Sequence, residues 1–312
     1  MRWLGLALAM FLPALAQPLL IVREEPLRHL FALEALGAGL EALAQGSQEG
    51  EEAEEERYLA LFAGTLEARD PALLRALEEA LAAVRGSAQS GDRAGLVKAV
   101  RRALDLLDRA AQVLVPEREP SLLAGLAAWL VLRDDGVAES YEDWVRGDEG
   151  AYRRGYFLLQ RLDAVFQALA SGLPREARRA GEEALVVLKG FYPSPSPPAR
   201  PTDPEDLERA ALDLVTALEG GLGLELLPRD LAAPWALFRA QAIQTCASGP
   251  GRLREEKWLS SRLTYETYLA DPLATLAPEV AEALKGLLEA PSPDCERLPS
   301  LLEEAGRSLG VP

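Results

Sequence analysis

The chain has 312 residues, of which 49% are hydrophobic, and a formal net charge of −16 at pH 7. This length supplies a hydrophobic core large enough to fold without a structural metal or disulfide. The negative charge repels phosphate backbones and anionic lipid surfaces, so nucleic acid is a poor candidate partner, and cations, basic proteins or neutral ligands fit better. Asparagine is absent and Arg outnumbers Lys, a composition similar to that of thermophile proteins.

The first residues have the pattern of a secretory signal peptide. Arg2 precedes a short apolar stretch, and a small-residue cleavage site ends at Ala16. The stretch is too short for a membrane-spanning helix and is interrupted by Pro13. We therefore expect cleavage near Ala16 and export of residues 17–312 to the periplasm or the extracellular space, with no membrane span in the mature chain.

His29 is the only histidine in the chain, which rules out a site built from several histidines. Glu25 precedes it by four residues, so the two side chains would share one face of a helix. That pair could supply two ligands to a transition metal. The alternative is a structural histidine paired with a carboxylate.

Helical periodicity runs through most of the chain. Apolar residues recur every three or four positions over residues 73–84 and 96–114, which predicts two antiparallel helices joined by a turn at residues 86–92. β-branched residues, which strands need, are scarce. We therefore predict an all-α fold, either a multi-helix bundle or stacked helical hairpins. Further stripes of the same spacing lie at residues 156–169, 207–218 and 280–288.

Two helix starts can be located from capping residues. Asp70 and Asp203 each stand directly before a proline, which places a capping carboxylate ahead of a proline at the first helical position.

The acidic run over residues 49–56 is expected to form an exposed end or loop, because its like charges repel. The apolar stretch at residues 122–132 is too short to span a bilayer and predicts a buried core helix.

A proline-rich stretch divides the chain. Residues 191–204 contain too many prolines for a helix and predict a long loop or linker. The expected organisation is therefore a signal peptide at residues 1–16, an N-terminal helical region at 17–190, this loop, and a C-terminal helical region at 205–312. The two helical regions can pack together as one domain.

Residues 134–149 are the densest cluster of acidic and aromatic side chains. Carboxylates near phenols are oxygen ligands suited to a hard cation such as ferric iron or calcium. The alternative is a charged connection between helices, with Trp144 and the tyrosines packed back on the core. The candidate metal ligands in this acidic stretch are Asp134, Asp135, Glu139, Glu142 and Asp143.

Two segments resemble the extracytoplasmic helical region of bacterial Ftr-type iron permeases. They are residues 67–81, which include Asp70-Pro71, and the Phe191-Tyr192-Pro193 segment that leads to Asp203. The acidic iron motif of those permeases, Arg-Glu-x-x-Glu, has its nearest counterpart at residues 133–139, with an inserted residue and an Asp in place of Glu. The resemblance implies a relative of an iron-uptake helical domain, and iron translocation is not implied.

The chain contains two cysteines, Cys246 and Cys295. In an exported protein the environment is oxidising, so a disulfide between them is the expected pairing. The alternative is a pair of buried free thiols, because the sequence does not show how close the two residues lie. Neither cysteine has a second cysteine or a histidine at the spacing of a zinc or c-type haem site.

These features predict a non-enzymatic, exported helical protein that binds a cation, iron or calcium, or a partner protein of the cell envelope. One alternative is a helical interaction scaffold without a metal, which a large exposed apolar patch would favour. The other is an envelope hydrolase that uses only carboxylates, which would need a cleft and a carboxylate of raised pKa.

Overall fold

A computed structural model of the chain describes residues 23–46, 51–290 and 292–311. Every regular element in these residues is a helix, which confirms the predicted all-α class. The expected signal peptide and its cleavage site near Ala16 lie outside the described residues. The helices are α1 (Glu24–Ala44), α2 (Glu51–Ala60), α3 (Ala63–Arg69), α4 (Pro71–Ser90), α5 (Arg93–Leu114), α6 (Pro120–Leu132), α7 (Val137–Val145), α8 (Glu149–Ala170), α9 (Arg175–Phe191), α10 (Pro204–Leu222), α11 (Ala232–Ala247), α12 (Arg252–Tyr268), α13 (Ala270–Leu276), α14 (Pro278–Leu288) and α15 (Leu298–Leu309).

Neighbouring helices along the chain pack as hairpins, namely α4 with α5, α7 with α8, α9 with α10, and α11 with α12. The predicted starts at Pro71 and Pro204 are confirmed, since Asp70 accepts a hydrogen bond from the Leu73 N–H and Asp203 accepts one from the Glu205 N–H. These carboxylates satisfy N–H groups that have no partner within the first helical turn.

The turn predicted at residues 86–92 is shorter than expected. Helix α4 continues to Ser90, and Gly91 ends it in the left-handed region with φ 69°. Asp92 then accepts a hydrogen bond from the Gly95 N–H and starts α5. Glycine reaches this conformation without a steric penalty, so two residues, Gly91 and Asp92, are enough to reverse the chain between α4 and α5.

The acidic run at residues 49–56 also differs from its prediction, because α2 begins within it at Glu51. Glu55 is buried and forms an ion pair with Arg85 of α4. A cation from a distant helix therefore offsets the repulsion that favoured a loop in the sequence alone.

Helix α1 lies at the centre of the larger core and packs against α2, α5, α6 and α8. Helix α6 is buried over most of its length, as predicted for the apolar stretch at residues 122–132. None of the described helices is both long and apolar enough to cross a membrane.

Two apolar clusters form the interior. The larger one includes buried residues from both sides of the proline-rich loop, for example Leu188 and Leu214. The smaller one lies among α11 to α15 and centres on Trp235, Phe238 and Leu284. Helix α12 joins the two regions, since it packs against α11 on one side and against α3 and α2 on the other.

Candidate functional sites

The structure divides the five carboxylates of the acidic stretch into two groups. Glu139, Glu142 and Asp143 lie on α7 and converge on one guanidinium, that of Arg146, at 3.1, 2.7 and 3.2 Å. Their spacing along a helix brings them to one face. Arg146 therefore stands at the point where the three carboxylates would otherwise meet a cation.

The other two carboxylates lie before α7. Asp135 pairs with Arg57 at 2.5 Å, and Asp134 is exposed and accepts a hydrogen bond from the Thr267 hydroxyl at 3.4 Å. Within the described parts of the chain, no three or more histidine, cysteine or acidic side chains are grouped so that they could hold a metal ion. The five-residue cation site stays a prediction.

Glu139 is a carboxylate of this stretch whose pKa is raised. Partial burial raises it, the neighbouring Asp143 and Glu142 raise it further, and the hydrogen bond from Arg146 opposes the shift. Burial and like charges both disfavour the ionised form of a carboxyl group. Glu139 is half-buried on α7, with its side chain 38% exposed and paired with Arg146.

The aromatic residues of the same stretch pack into the core. Tyr141 and Tyr152 are fully buried and contact Tyr192, with ring centroids at 5.5 and 4.9 Å. The Tyr192 hydroxyl donates to the Val137 carbonyl, and the Tyr141 hydroxyl accepts from the Thr202 N–H. These phenols therefore fasten the proline-rich loop and the end of α9 to α7.

Arg133, in the segment that resembles the permease iron motif, lies over aromatic rings. Its guanidinium carbon is 4.0 Å from the ring centroid of Trp129 and 5.0 Å from that of Phe31. Burial lowers its pKa, although Tyr268 and Glu24 favour its charged form. The contact with the two rings stabilises the cation by the attraction between a positive charge and the face of a π-system.

His29 lies inside the protein, whereas Glu25 is exposed. The His29 side chain is 1% exposed, and its Nε2 is 3.0 Å from a carboxylate oxygen of Glu256, which is also 1% exposed. An ionised carboxylate only accepts hydrogen bonds, so Nε2 carries the hydrogen and donates it. The carboxylate partner of His29 is therefore Glu256 of α12, and not Glu25 of its own helix.

Glu256 is the centre of a buried polar network between the two core regions. Arg28 of α1 donates to it at 3.2 Å, and Thr65 of α3 donates from both its N–H and its hydroxyl at 2.8 Å. Arg28 also donates to Glu24 and to the Leu61 carbonyl. Glu24 in turn accepts from the Ser260 hydroxyl at 3.1 Å.

The network keeps Glu256 and Arg28 charged. Burial alone would raise the pKa of Glu256, but the hydrogen bond from His29 and the charge of Arg28 hold it below its usual range. Burial alone would lower the pKa of Arg28, but Glu24 and Glu256 raise it. A buried carboxylate with several donors is stabilised in its ionised form. The sequence does not reveal this role, because residues 252–257 around Glu256 carry charges of both signs, as is typical of a solvated helix start.

A groove of about 670 Å³ runs along the outer surface of the α9 and α10 hairpin. Its lining includes buried residues, among them Phe191 and alanines, together with the exposed Val187 and four charged residues. Val187 is 49% exposed, and its neighbour Val186 is 70% exposed. The residues that line this α9/α10 groove are Ala180, Glu183, Ala184, Val187, Phe191, Asp206, Arg209, Ala210, Asp213, Thr216 and Ala217.

A second cavity, of about 540 Å³, lies between α11 and α15. The predicted pairing of the cysteines is confirmed here, since Cys246 and Cys295 lie at disulfide distance with their Cα atoms 5.6 Å apart, and both line this cavity. The pair connects the end of α11 to the segment before α15.

Comparisons with known protein families, with curated proteins and with solved structures give no match to this chain. The fold is that of an all-α protein built from packed helical hairpins.

Proposed function

We propose that the protein is a non-enzymatic helical scaffold that binds a partner protein through the α9/α10 groove, and that the bound element is an amphipathic helix with positively charged flanks. The observation that carries this proposal is a concave apolar surface with acidic walls on an outward-facing helical hairpin. Given the export expected from the signal sequence, the partner belongs to the cell envelope.

The shape of the groove suits a helix. The buried alanines at positions 184, 210 and 217 have small side chains, which leaves room for large apolar side chains between α9 and α10. Recognition of an amphipathic helix in an apolar groove is a recurring mode of peptide binding. Valine is a poor helix former, so the exposed Val186 and Val187 do not stabilise α9 by helix propensity. Their exposed apolar side chains are suited to contact with a partner protein.

The charges of the groove favour a basic partner. Glu183 and Asp206 are each paired at 2.8 Å with an arginine of their own helix. Asp213 forms no ion pair in the described part of the chain. Three carboxylates against the single arginine of the lining leave the groove negative, and a negative surface speeds the association of a cationic segment.

The test uses a fluorescent synthetic helix of Lys and Leu at amphipathic spacing, and a second peptide in which Glu replaces Lys. Fluorescence anisotropy should show that the mature protein binds the Lys peptide and not the Glu peptide. Val187→Asp and Asp213→Lys should each weaken binding about tenfold, which corresponds to about 1.4 kcal/mol. The matched control is Asp108→Lys, an equal change of charge on the exposed side of α5.

If Asp108→Lys weakens binding as much as Asp213→Lys, the peptide responds only to net charge and the proposal is wrong. It is also wrong if the Lys peptide does not bind. The resemblance to the permease region and the cation site in the acidic stretch remain separate predictions, which this experiment does not use.

A further inference from the structure

The cavity between α11 and α15 has an apolar interior. Its inner wall is formed by Trp235 of α11 and by Leu298 and Leu302 of α15, all of which are buried. Gly306 allows α15 to approach closely, because an added Cβ would lie 2.9 Å from the Trp235 ring. The volume of about 540 Å³ falls within the range of roughly 300–1,000 Å³ typical of small-molecule sites.

The mouth of this cavity is amphipathic. Ile243 lies at the opening and is 52% exposed, which is unusual for a large aliphatic side chain. Arg239 and Arg307 also line the cavity, one from each helix, and both are exposed. An apolar interior beneath two guanidinium groups is suited to a molecule with an apolar body and a negative head.

The two arginines differ from many others in the chain, which pair with carboxylates. Neither Arg239 nor Arg307 forms an ion pair within the residues that the structure describes. Glu303 also lines the cavity and lies four residues before Arg307, yet no ion pair joins them. The cavity lining thus carries two cations against one carboxylate, in a chain whose net charge is −16.

We propose that this cavity binds a small amphipathic carboxylate, with its hydrocarbon part against Trp235 and Leu302 and its head group between Arg239 and Arg307. Guanidinium groups recognise a carboxylate by paired, charge-assisted hydrogen bonds. The hydrocarbon part removes the apolar walls and Ile243 from water, which supplies most of the binding free energy. This site lies on α11 and α15 and is independent of the α9/α10 groove.

The experiment compares decanoate with decanol, which has the same chain and no charge. Isothermal titration calorimetry on the mature, oxidised protein should show saturable binding of decanoate and weaker binding of decanol. The double variant Arg239→Gln/Arg307→Gln should lose about tenfold in decanoate affinity and keep its affinity for decanol. Added salt should weaken decanoate binding in the unmodified protein more than in the double variant.

A matched control removes two exposed arginines elsewhere, in Arg178→Gln/Arg179→Gln on α9. Its affinity for decanoate should equal that of the unmodified protein. In a second variant, Ile243→Trp, the larger side chain should cover the mouth and weaken both ligands, and circular dichroism should confirm that the helices remain. Absence of decanoate binding would overturn the proposal, as would an equal loss in the control and in the double variant.

Discussion

At the scale of single residues, Glu256 is a buried carboxylate whose stability depends on several hydrogen-bond donors at once. Its carboxylate is removed from water and accepts hydrogen bonds from His29, Arg28 and Thr65, which belong to two other helices. A buried ion contributes to a fold only while every donor around it stays in place. The junction between the two core regions therefore depends on one side chain.

Replacement of this carboxylate should be strongly destabilising. Glu256→Gln keeps the shape but leaves Arg28 with only one buried carboxylate partner, so we expect a loss of about 3 kcal/mol or more in the free energy of unfolding. Urea denaturation followed by circular dichroism measures it. Glu255→Gln, at an exposed position of the same helix, is the control and should change stability by less than about 0.5 kcal/mol. Equal effects of the two substitutions would contradict the role given to Glu256.

The same carboxylate predicts a dependence of stability on pH. Because folding lowers the pKa of Glu256, the folded state binds this proton less tightly than the unfolded state does. Its contribution is complete above the ordinary carboxyl pKa of about 4.3 and is lost as the pH falls through the lower folded value. The stability difference between the unmodified protein and Glu256→Gln should therefore narrow below about pH 4. A difference that stays constant from pH 7 to pH 3 would show that the carboxyl group does not titrate as described.

Gly306 tests the close approach of α15 to Trp235. In Gly306→Ala the new methyl group meets the indole ring of Trp235, so α15 must shift. We expect the free energy of unfolding to fall by about 1–3 kcal/mol. Gly286→Ala is the matched control, since Gly286 lies inside α14 with no atom within 4 Å of an added Cβ. In that control the free energy of unfolding should rise by about 0.5–1 kcal/mol, because alanine has a higher helix propensity than glycine. Thermal denaturation of both variants would show opposite shifts, and a stabilised Gly306→Ala would disprove the contact.

At the scale of elements, α7 shows how one arginine organises an acidic surface. Arg146 neutralises Glu139, Glu142 and Asp143 and thereby occupies the place that a bound cation would take. Arg146→Gln should leave the three carboxylates facing each other, and calcium should then raise the thermal unfolding temperature of the variant more than that of the unmodified protein. Arg179→Gln, which removes an exposed arginine from α9, should respond to calcium as the unmodified protein does. If calcium changes the unfolding temperature of Arg146→Gln, Arg179→Gln and the unmodified protein equally, this result would argue against cation binding at α7.

Capping and periodicity were predictable because they are local. The starts at Pro71 and Pro204 follow from the preceding aspartates, and the buried α6 follows from its apolar composition. The partners of His29 and Glu55 were not predictable, since Glu256 is 227 residues away from His29 and Arg85 lies on another helix. Side-chain chemistry in one helix does not reveal which distant charge it will meet. The pairing of Arg146 with Glu142 and Asp143 is different, because it has the i, i+4 and i, i+3 spacing of neighbours on one helix face and can be read from the sequence.

At the scale of the whole molecule, the two apolar clusters have different sources of stability. The larger one surrounds α1 and gathers most of the buried side chains. The smaller one is built from α11 to α15 and has far fewer buried residues. A small core buries less apolar surface per residue and depends more on a covalent link. The disulfide between Cys246 and Cys295 lies in this second region.

Removal of the disulfide should therefore destabilise the smaller cluster first. The bond closes a loop with a sequence separation of 49 residues, for which the chain-entropy estimate is about 4 kcal/mol. In the variant Cys246→Ser/Cys295→Ser, amide hydrogen exchange should become faster in α11 to α15, while exchange in α1 and α8 stays slow. The control is Ser248→Ala/Ser292→Ala, which changes two nearby serines and leaves the bond. If exchange accelerates equally in α1 and in α14, the two clusters unfold as one cooperative unit, and the smaller one does not depend separately on its disulfide.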